Sequence, residues 1–237
     1  KTMKTLAKNY KKNVDKILDI KDTIINLEKS IPNLEIIVVD DASSDDTLSI
    51  IKNLKTNCHL KVIYRDRTKG LGSAFQRALI ESSGKNVGWI DTNMGELAEK
   101  FPHMIKELEN HDLILLSRYV DGGTDERVFL RVFCSKLINM FCRLLLSAKI
   151  HDYTSSIFIM KRSVLNETTL LGYGHGDFFI EFLYSVIKKN FSIKEIPYRQ
   201  KKDDEDSNTN TSPNLLRFFV LGFFYFLRVL MTKFRRN

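Results

Sequence analysis

The sequence has few of the residues that build stapled or metal-bound folds. It contains three cysteines, Cys58, Cys134 and Cys142, and five scattered histidines. Three thiols at these spacings make neither a disulfide framework nor a zinc-ligand set, so reduced thiols in a cytosolic setting are expected. Four prolines and eleven glycines among 237 residues exclude a collagenous or low-complexity chain. No uninterrupted apolar run approaches the ~20 residues of a membrane-spanning helix. The lysine-rich amino terminus has no apolar stretch behind it, so no signal peptide is expected. Acids are missing from residues 213–237, where Arg217, Arg228, Lys233, Arg235 and Arg236 supply +5 of the net charge of +8. No basic stripe interleaved with aromatics, zinc finger or RNA-binding signature stands elsewhere, which excludes nucleic acid as an expected partner.

What is present describes one globular domain with an appendage: 43% apolar and 28% charged residues are enough to bury a full core. Val14, Ile17, Leu18, Ile24 and Leu27 recur at helical spacing and predict a helix over 13–29, closed by Pro32. The run Ile36-Ile37-Val38-Val39 predicts a buried parallel strand ending at Asp40-Asp41. Ser43 and Asp46 resemble a capping box that opens a helix through Leu48, Ile51 and Leu54. A strand over 61–64, a helix after Gly70 and Gly72, a strand over 87–90 ending at Asp91, a helix over 96–109 and a strand over 113–116 follow. Strictly alternating strands and helices imply a doubly wound, mostly parallel α/β sheet with flanking helices.

Beyond Arg118 the pattern changes. An apolar helix is expected over 128–146, a polar turn at Asp152-Tyr153-Thr154-Ser155-Ser156, a helix over 178–187 and an edge strand over 191–197. Residues 201–212 read as a mobile loop. Residues 213–237 read as a basic, aromatic-rich amphipathic helix lying on an anionic membrane surface. The domain itself takes residues 1–200.

In doubly wound sheets ligands bind outside the carboxyl ends of the strands, and acids stand at two such ends, Asp40-Asp41 and Asp91. Carboxylates there can accept hydrogen bonds from a base or ribose, or supply hard oxygen ligands to Mg²⁺ or Mn²⁺. The alternative for Asp40, Asp41 and Asp45 is turn formation and helix capping.

The stretch Val38-Val39-Asp40-Asp41-Ala42-Ser43-Ser44-Asp45-Asp46-Thr47 resembles the VVDDxSxDxT signature of family-2 glycosyltransferases with a GT-A fold. Leu71-Gly72-Ser73-Ala74 is similar to their LGxA, and Asp91-Thr92-Asn93 occupies their DxD. Ser117-Arg118-Tyr119 with Gly122-Gly123, Asp152-Tyr153-Thr154, Glu181 and Ile196-Pro197 resemble the dolichyl-phosphate mannose synthase branch, in the same order. The resemblance implies that Val39 and Asp41 contact base and ribose, that Asp91, with Asn93 in place of a second acid, holds Mg²⁺ or Mn²⁺, and that Thr92 lies beside the nucleotide. It implies that Arg118 neutralises phosphate and that Asp152 lies by the acceptor, as the catalytic base if the acceptor is a hydroxyl. The family's nucleotide-covering loop corresponds to Leu6-Ala7-Lys8-Asn9-Tyr10, and Lys201 or Lys202 is the candidate for its later basic clamp.

The implied activity is inverting transfer of a sugar from a GDP- or UDP-sugar to a polyprenyl phosphate, by a protein peripheral on the cytoplasmic face of a membrane. The alternative is a degenerate homologue that acts as a binding or partner subunit beside a membrane-anchoring one.

Overall fold

The computed structural model describes residues 18–43, 45–67, 70–168, 170–174, 176–202 and 215–235. Outside them lie the start of the first expected helix at Val14 and Ile17, the stretch 6–10, Ser44 and most of the 201–212 loop. Eight strands are described: β1 (Glu35–Asp40), β2 (His59–Tyr64), β3 (Asn86–Trp89), β4 (Leu113–Ser117), β5 (Thr124–Asp125), β6 (Phe158–Lys161), β7 (Ile193–Pro197) and β8 (Arg199–Gln200). Between them run helices α1 (18–30), α2 (Thr47–Lys52), α3 (Leu71–Glu81), α4 (Phe101–Glu107), α5 (Phe129–Leu145), α6 (Phe178–Lys188) and α7 (Leu215–Phe234).

The strand pairing sets where the loops emerge. β1 and β2 run parallel, with Val39 opposite Ile63 and Asp40 opposite Tyr64. Four strands pair in the order β3-β6-β4-β7. Both β3 and β4 are antiparallel to β6, and β4 is parallel to β7. β3 and β4 therefore point the same way, and the loops after Trp89 and Ser117 leave from one edge of that sheet. β6 went unpredicted and gives the sheet its antiparallel pairs. β5 and β8 add a short parallel ribbon.

Two apolar clusters lie on the two faces of this sheet. The four apolar residues of β4 are fully buried; alternation sends Leu113 and Leu115 to one cluster and Ile114 and Leu116 to the other. The first cluster is built around α6, which is buried on every side, as a helix apolar all round must be. α7 covers it: Val229 and Thr232 are buried, and Phe226 meets Phe141 of α5 edge-on at 5.2 Å. The carboxyl-terminal helix is thus docked on the domain along one side. No helix among the described residues is long and apolar enough to cross a membrane. The predicted helix over 96–109 divides into a 3-10 turn (Gly95–Lys100) and α4.

Candidate active site

The turn after β1 is built by its own carboxylates. Asp40 is buried and its Oδ1 accepts the Ser43 amide at 2.8 Å, which holds Ala42 in the left-handed region at φ 59°. Asp45, rather than the expected Ser43–Asp46 box, caps α2, accepting the Thr47 amide at 3.1 Å and also the Thr47 hydroxyl. Asp46 makes no side-chain cap bond. Asp41 reaches across to the end of the neighbouring strand. Its Oδ1 accepts Arg65 Nε at 2.7 Å and its Oδ2 the Gly70 amide at 2.9 Å, while Arg65 also donates to Ser73 Oγ at 2.9 Å. Gly70 sits at φ 132°, a conformation only glycine adopts without strain. Sequence reasoning missed Arg65, although the register carried a signal. Asp40 pairs with Tyr64, so Asp41 and Arg65 are the next residues along two parallel strands.

The Asp91 turn is held from two sides. Trp89 Nε1 donates to Asp91 Oδ1 at 3.2 Å. Burial pushes the Asp91 carboxyl above its ordinary range, and that indole bond partly offsets the rise. Thr92 and Asn93 are exposed. Thr23 of α1, a second residue the sequence did not single out, donates to the Thr92 carbonyl at 2.6 Å. The helix can come so close because residue 95 is glycine: a Cβ there would lie 2.8 Å from Thr23 Oγ1 and 2.9 Å from its Cα. Lys201 pairs at 3.2 Å with Glu96, five positions past Asp91, so the start of the 201–212 loop lies on this side.

At the end of β4, on the same edge, Arg118 meets Asp152. Arg118 Nε and Nη2 donate to the two Asp152 oxygens at 2.8 and 2.7 Å, and its amide donates to Oδ2 at 3.0 Å. Both residues are buried, Arg118 at 4% exposure and Asp152 at 0%. Burial alone would raise the Asp152 carboxyl; the Arg118 charge outweighs it and holds the group below its usual range. The surrounding shell is dense. Thr154 Oγ1 accepts Arg118 Nη2 at 2.7 Å and Asn139 Nδ2 at 3.0 Å, and Glu195 accepts the Asp152 amide at 3.0 Å. The segment expected as a polar turn is therefore interior, with Tyr153 fully buried. Asp125, 3.8 Å from Arg118, binds Arg127 through two bonds of 2.8 and 2.7 Å and accepts the Tyr119 hydroxyl at 2.8 Å. Burial opposes ionisation of Asp125, yet Arg127 lowers it to about 2.

α7 also reaches this region. Tyr225 is pushed up by burial and then by Asp177, and Arg118, Arg127 and Asp91 all act electrostatically on it. Glu181, expected as the family's helical glutamate, is buried and paired with Arg228 at 3.3 Å and with Arg235. Arg228 also binds Asp177 at 2.8 Å.

A hard divalent cation suits the Asp91 turn. A carboxylate and an exposed amide two residues on offer oxygen donors. Among the described residues no group of three or more His, Cys, Asp or Glu converges, so a cation there would draw further ligands from phosphate and water, as Mg²⁺ commonly does.

The architecture is that of GT-A glycosyltransferases. Glucosyl-3-phosphoglycerate synthase from Mycobacterium tuberculosis, solved with Mn²⁺, UDP and phosphoglyceric acid, superposes with a TM-score of 0.67 over 92% of this chain and 75% of that one, at 17% identity. Residues 7–169 match the family described as glycosyl transferase family 2, and the chain belongs to that family. Its relatives include the dolichol-phosphate mannosyltransferase of Pyrococcus furiosus, 33% identical over 171 residues, 70% of this chain and 47% of that protein. The polyprenol monophosphomannose synthase of Mycolicibacterium smegmatis is 29% identical over 177 residues, 70% of this chain and 66% of that protein. The chain spans less than two thirds of the length of either.

Proposed function

We propose that this chain transfers a sugar from a GDP- or UDP-sugar to a polyprenyl phosphate, with inversion at the anomeric carbon. The observation that carries the reading is the common edge from which the Asp91 turn and the Arg118–Asp152 pair emerge, in a family-2 chain whose relatives are named for polyprenyl-phosphate products. Val39 and Asp41, at the end of β1, hold the base and ribose, with Arg65 fixing the Asp41 carboxylate. Asp91, with the Asn93 carbonyl beside it, would hold Mg²⁺ or Mn²⁺, which when bound supplies positive charge against the departing diphosphate. Thr92 lines the same turn.

Arg118 and Asp152 lie at the acceptor end, where Asp152 fixes the orientation of the buried guanidinium. A buried carboxylate with both oxygens bonded and its proton affinity lowered is a poor base. A phosphate acceptor needs none, being anionic near neutral pH, whereas a hydroxyl would need one. The buried pair therefore favours the phosphate. The setting proposed is peripheral, on the cytoplasmic face of a membrane.

The test is product formation from GDP-mannose, UDP-glucose and related donors with a short-chain polyprenyl phosphate, with Mn²⁺ or EDTA. Metal-dependent, acid-labile lipid-linked sugar is expected; nucleotide binding without product from any donor would overturn catalysis. The amide at Asn93 favours a second reading, a nucleotide-binding relative that serves as a partner subunit, which that negative result would support.

A further inference from the structure

One acid lies where the strand pattern calls for an apolar residue. In β7, Ile193 packs against the first apolar cluster, and alternation turns Glu195 to the same face, opposite Leu115 of β4. There the Glu195 side chain is only 7% exposed. A carboxylate so placed is costly unless its oxygens are bonded, and both are. Oε2 accepts the His151 amide at 2.8 Å and faces the ring Nδ1 of the same residue at 2.9 Å, while Oε1 accepts the Asp152 amide at 3.0 Å. The His151 side chain is 41% exposed, so its ring bond is the one of the three that water can replace.

Residues 151–154 are held by side chains rather than by a strand ladder. Four consecutive amides are bonded in this way: those of His151 and Asp152 by Glu195, that of Tyr153 by Asn139 Oδ1 at 2.7 Å, and that of Thr154 by Asp152 Oδ1 at 3.2 Å. Asn139 stands on α5 and Glu195 on β7, so two separate elements clamp the segment. The Asp152 carboxylate in turn accepts Nε, Nη2 and the amide of Arg118. Glu195 therefore reaches the Arg118 guanidinium through a single residue, Asp152.

We infer that Glu195 is a positioning residue for the proposed transfer reaction: with Asn139 it fixes Asp152, and through Asp152 it sets the direction of the Arg118 guanidinium. This role rests on the proposed function for what Arg118 meets, while the clamp itself rests on the hydrogen bonds alone. Only a carboxylate suits the position. Glutamine has the same size but one oxygen, so either way round its NH₂ sets donor against donor, at the Asp152 amide or at the His151 amide. Turned toward Asp152 it keeps both His151 bonds and displaces the residue that holds Arg118. A displacement of about 1 Å in such a site costs about a hundredfold in rate.

The experiment compares the full chain as wild type, Glu195→Gln, Glu195→Asp and His151→Ala, with thermal melts as the folding control. The first readout needs no turnover: hydrogen exchange at Arg118 Nε–H by NMR, with the resonance assigned by its loss in Arg118→Lys. Exchange in Glu195→Gln should be at least about tenfold faster than in wild type. Glu195→Asp, which keeps both acceptor oxygens, should lie between the two, and His151→Ala should match wild type. The second readout is transfer from GDP-mannose or UDP-glucose to a short-chain polyprenyl phosphate. There kcat should fall at least about tenfold in Glu195→Gln while KM for the nucleotide sugar stays the same. Wild-type exchange in Glu195→Gln, Glu195→Asp no better than Glu195→Gln, or an equal loss in His151→Ala would each overturn the positioning role. So would an unchanged kcat in an active protein, or a fall in kcat accompanied by a raised nucleotide-sugar KM, which marks general disruption. If Glu195→Gln does not fold, Glu195→Asp decides by the same exchange measurement, faster than wild type supporting the role and equal to it overturning it. No turnover by wild type sinks the glycosyltransferase reading, while the exchange rates still decide the clamp.

Discussion

Arg118 and Asp152, 34 residues apart, share a two-pronged ion pair with almost no solvent contact. Removing one partner of such a pair leaves an uncompensated buried charge, which destabilises a protein by about 3–5 kcal/mol. Arg118→Ala and Asp152→Ala should each lower unfolding free energy by that order in urea titrations. The double variant should lose less than the sum, since the orphaned charge is gone.

Acid should act on the same cluster. Asp152 and Asp125 both ionise below their ordinary value in the folded protein, Asp125 at about 2. A depressed folded value means that their stabilisation is fully present above the unfolded carboxylate value of 3.8 and is lost as pH falls toward 2. Arg127→Ala removes the hydrogen bonds that lower Asp125, so the acid-unfolding midpoint of that variant should move to higher pH.

Trp89 is the sole tryptophan, and its indole touches Asp91. Intrinsic fluorescence should therefore be quenched when Mn²⁺ and a nucleoside diphosphate bind. Asp91→Ala should abolish the quench and keep the emission maximum of the folded protein. Asn93→Asp adds a charged oxygen donor and should tighten Mn²⁺ by about tenfold. An unchanged Mn²⁺ midpoint would remove residue 93 from the cation site.

Gly95→Ala should pry α1 from the Asp91 turn, because the new methyl would lie 2.9 Å from Thr23 Cα and 3.0 Å from its amide nitrogen. Overpacking of this kind destabilises by about 1–3 kcal/mol, at roughly 2–4 °C of melting temperature per kcal/mol in a chain of this size. Thr23→Val, which removes only the hydrogen bond to Thr92, should produce a smaller shift in the same calorimetric scan.

Arg228 ties α7 to two carboxylates of the α6 region. Arg228→Met should leave Asp177 and Glu181 poorly compensated and lower stability by several kcal/mol, about the 3–5 expected of a broken buried pair. An Asp177→Asn/Glu181→Gln background should relieve most of that loss, measured by denaturant midpoint.

Elements that carry their own signal were legible in the chain. The β-branched run of β1 and the apolar period of α5 announce strand and helix locally, and acids follow both β1 and β3. β6 carries no such mark. Its Phe158-Ile159-Met160 is a short apolar run of ambiguous type, and only pairing with β3 and β4 makes it a strand. Asp152-Tyr153-Thr154-Ser155-Ser156 reads as a polar turn because four of its five residues bear hydroxyls and the fifth is charged. Its burial depends on Arg118 and Asn139, which no local pattern reveals. The basic carboxyl-terminal helix likewise conceals that Arg228 is turned inward, since its partners stand about fifty residues earlier.

The clasp on Glu181 has a consequence for biosynthesis. Glu181 waits, within a helix buried on every side, for Arg228 and Arg235. Chains fold from the amino terminus as they emerge from the ribosome, so the strands and α1 to α6 are exposed to the cell before either arginine exists. Through that interval α6 offers an open apolar flank with a carboxylate in it, until α7 covers that flank and its arginines meet the charge.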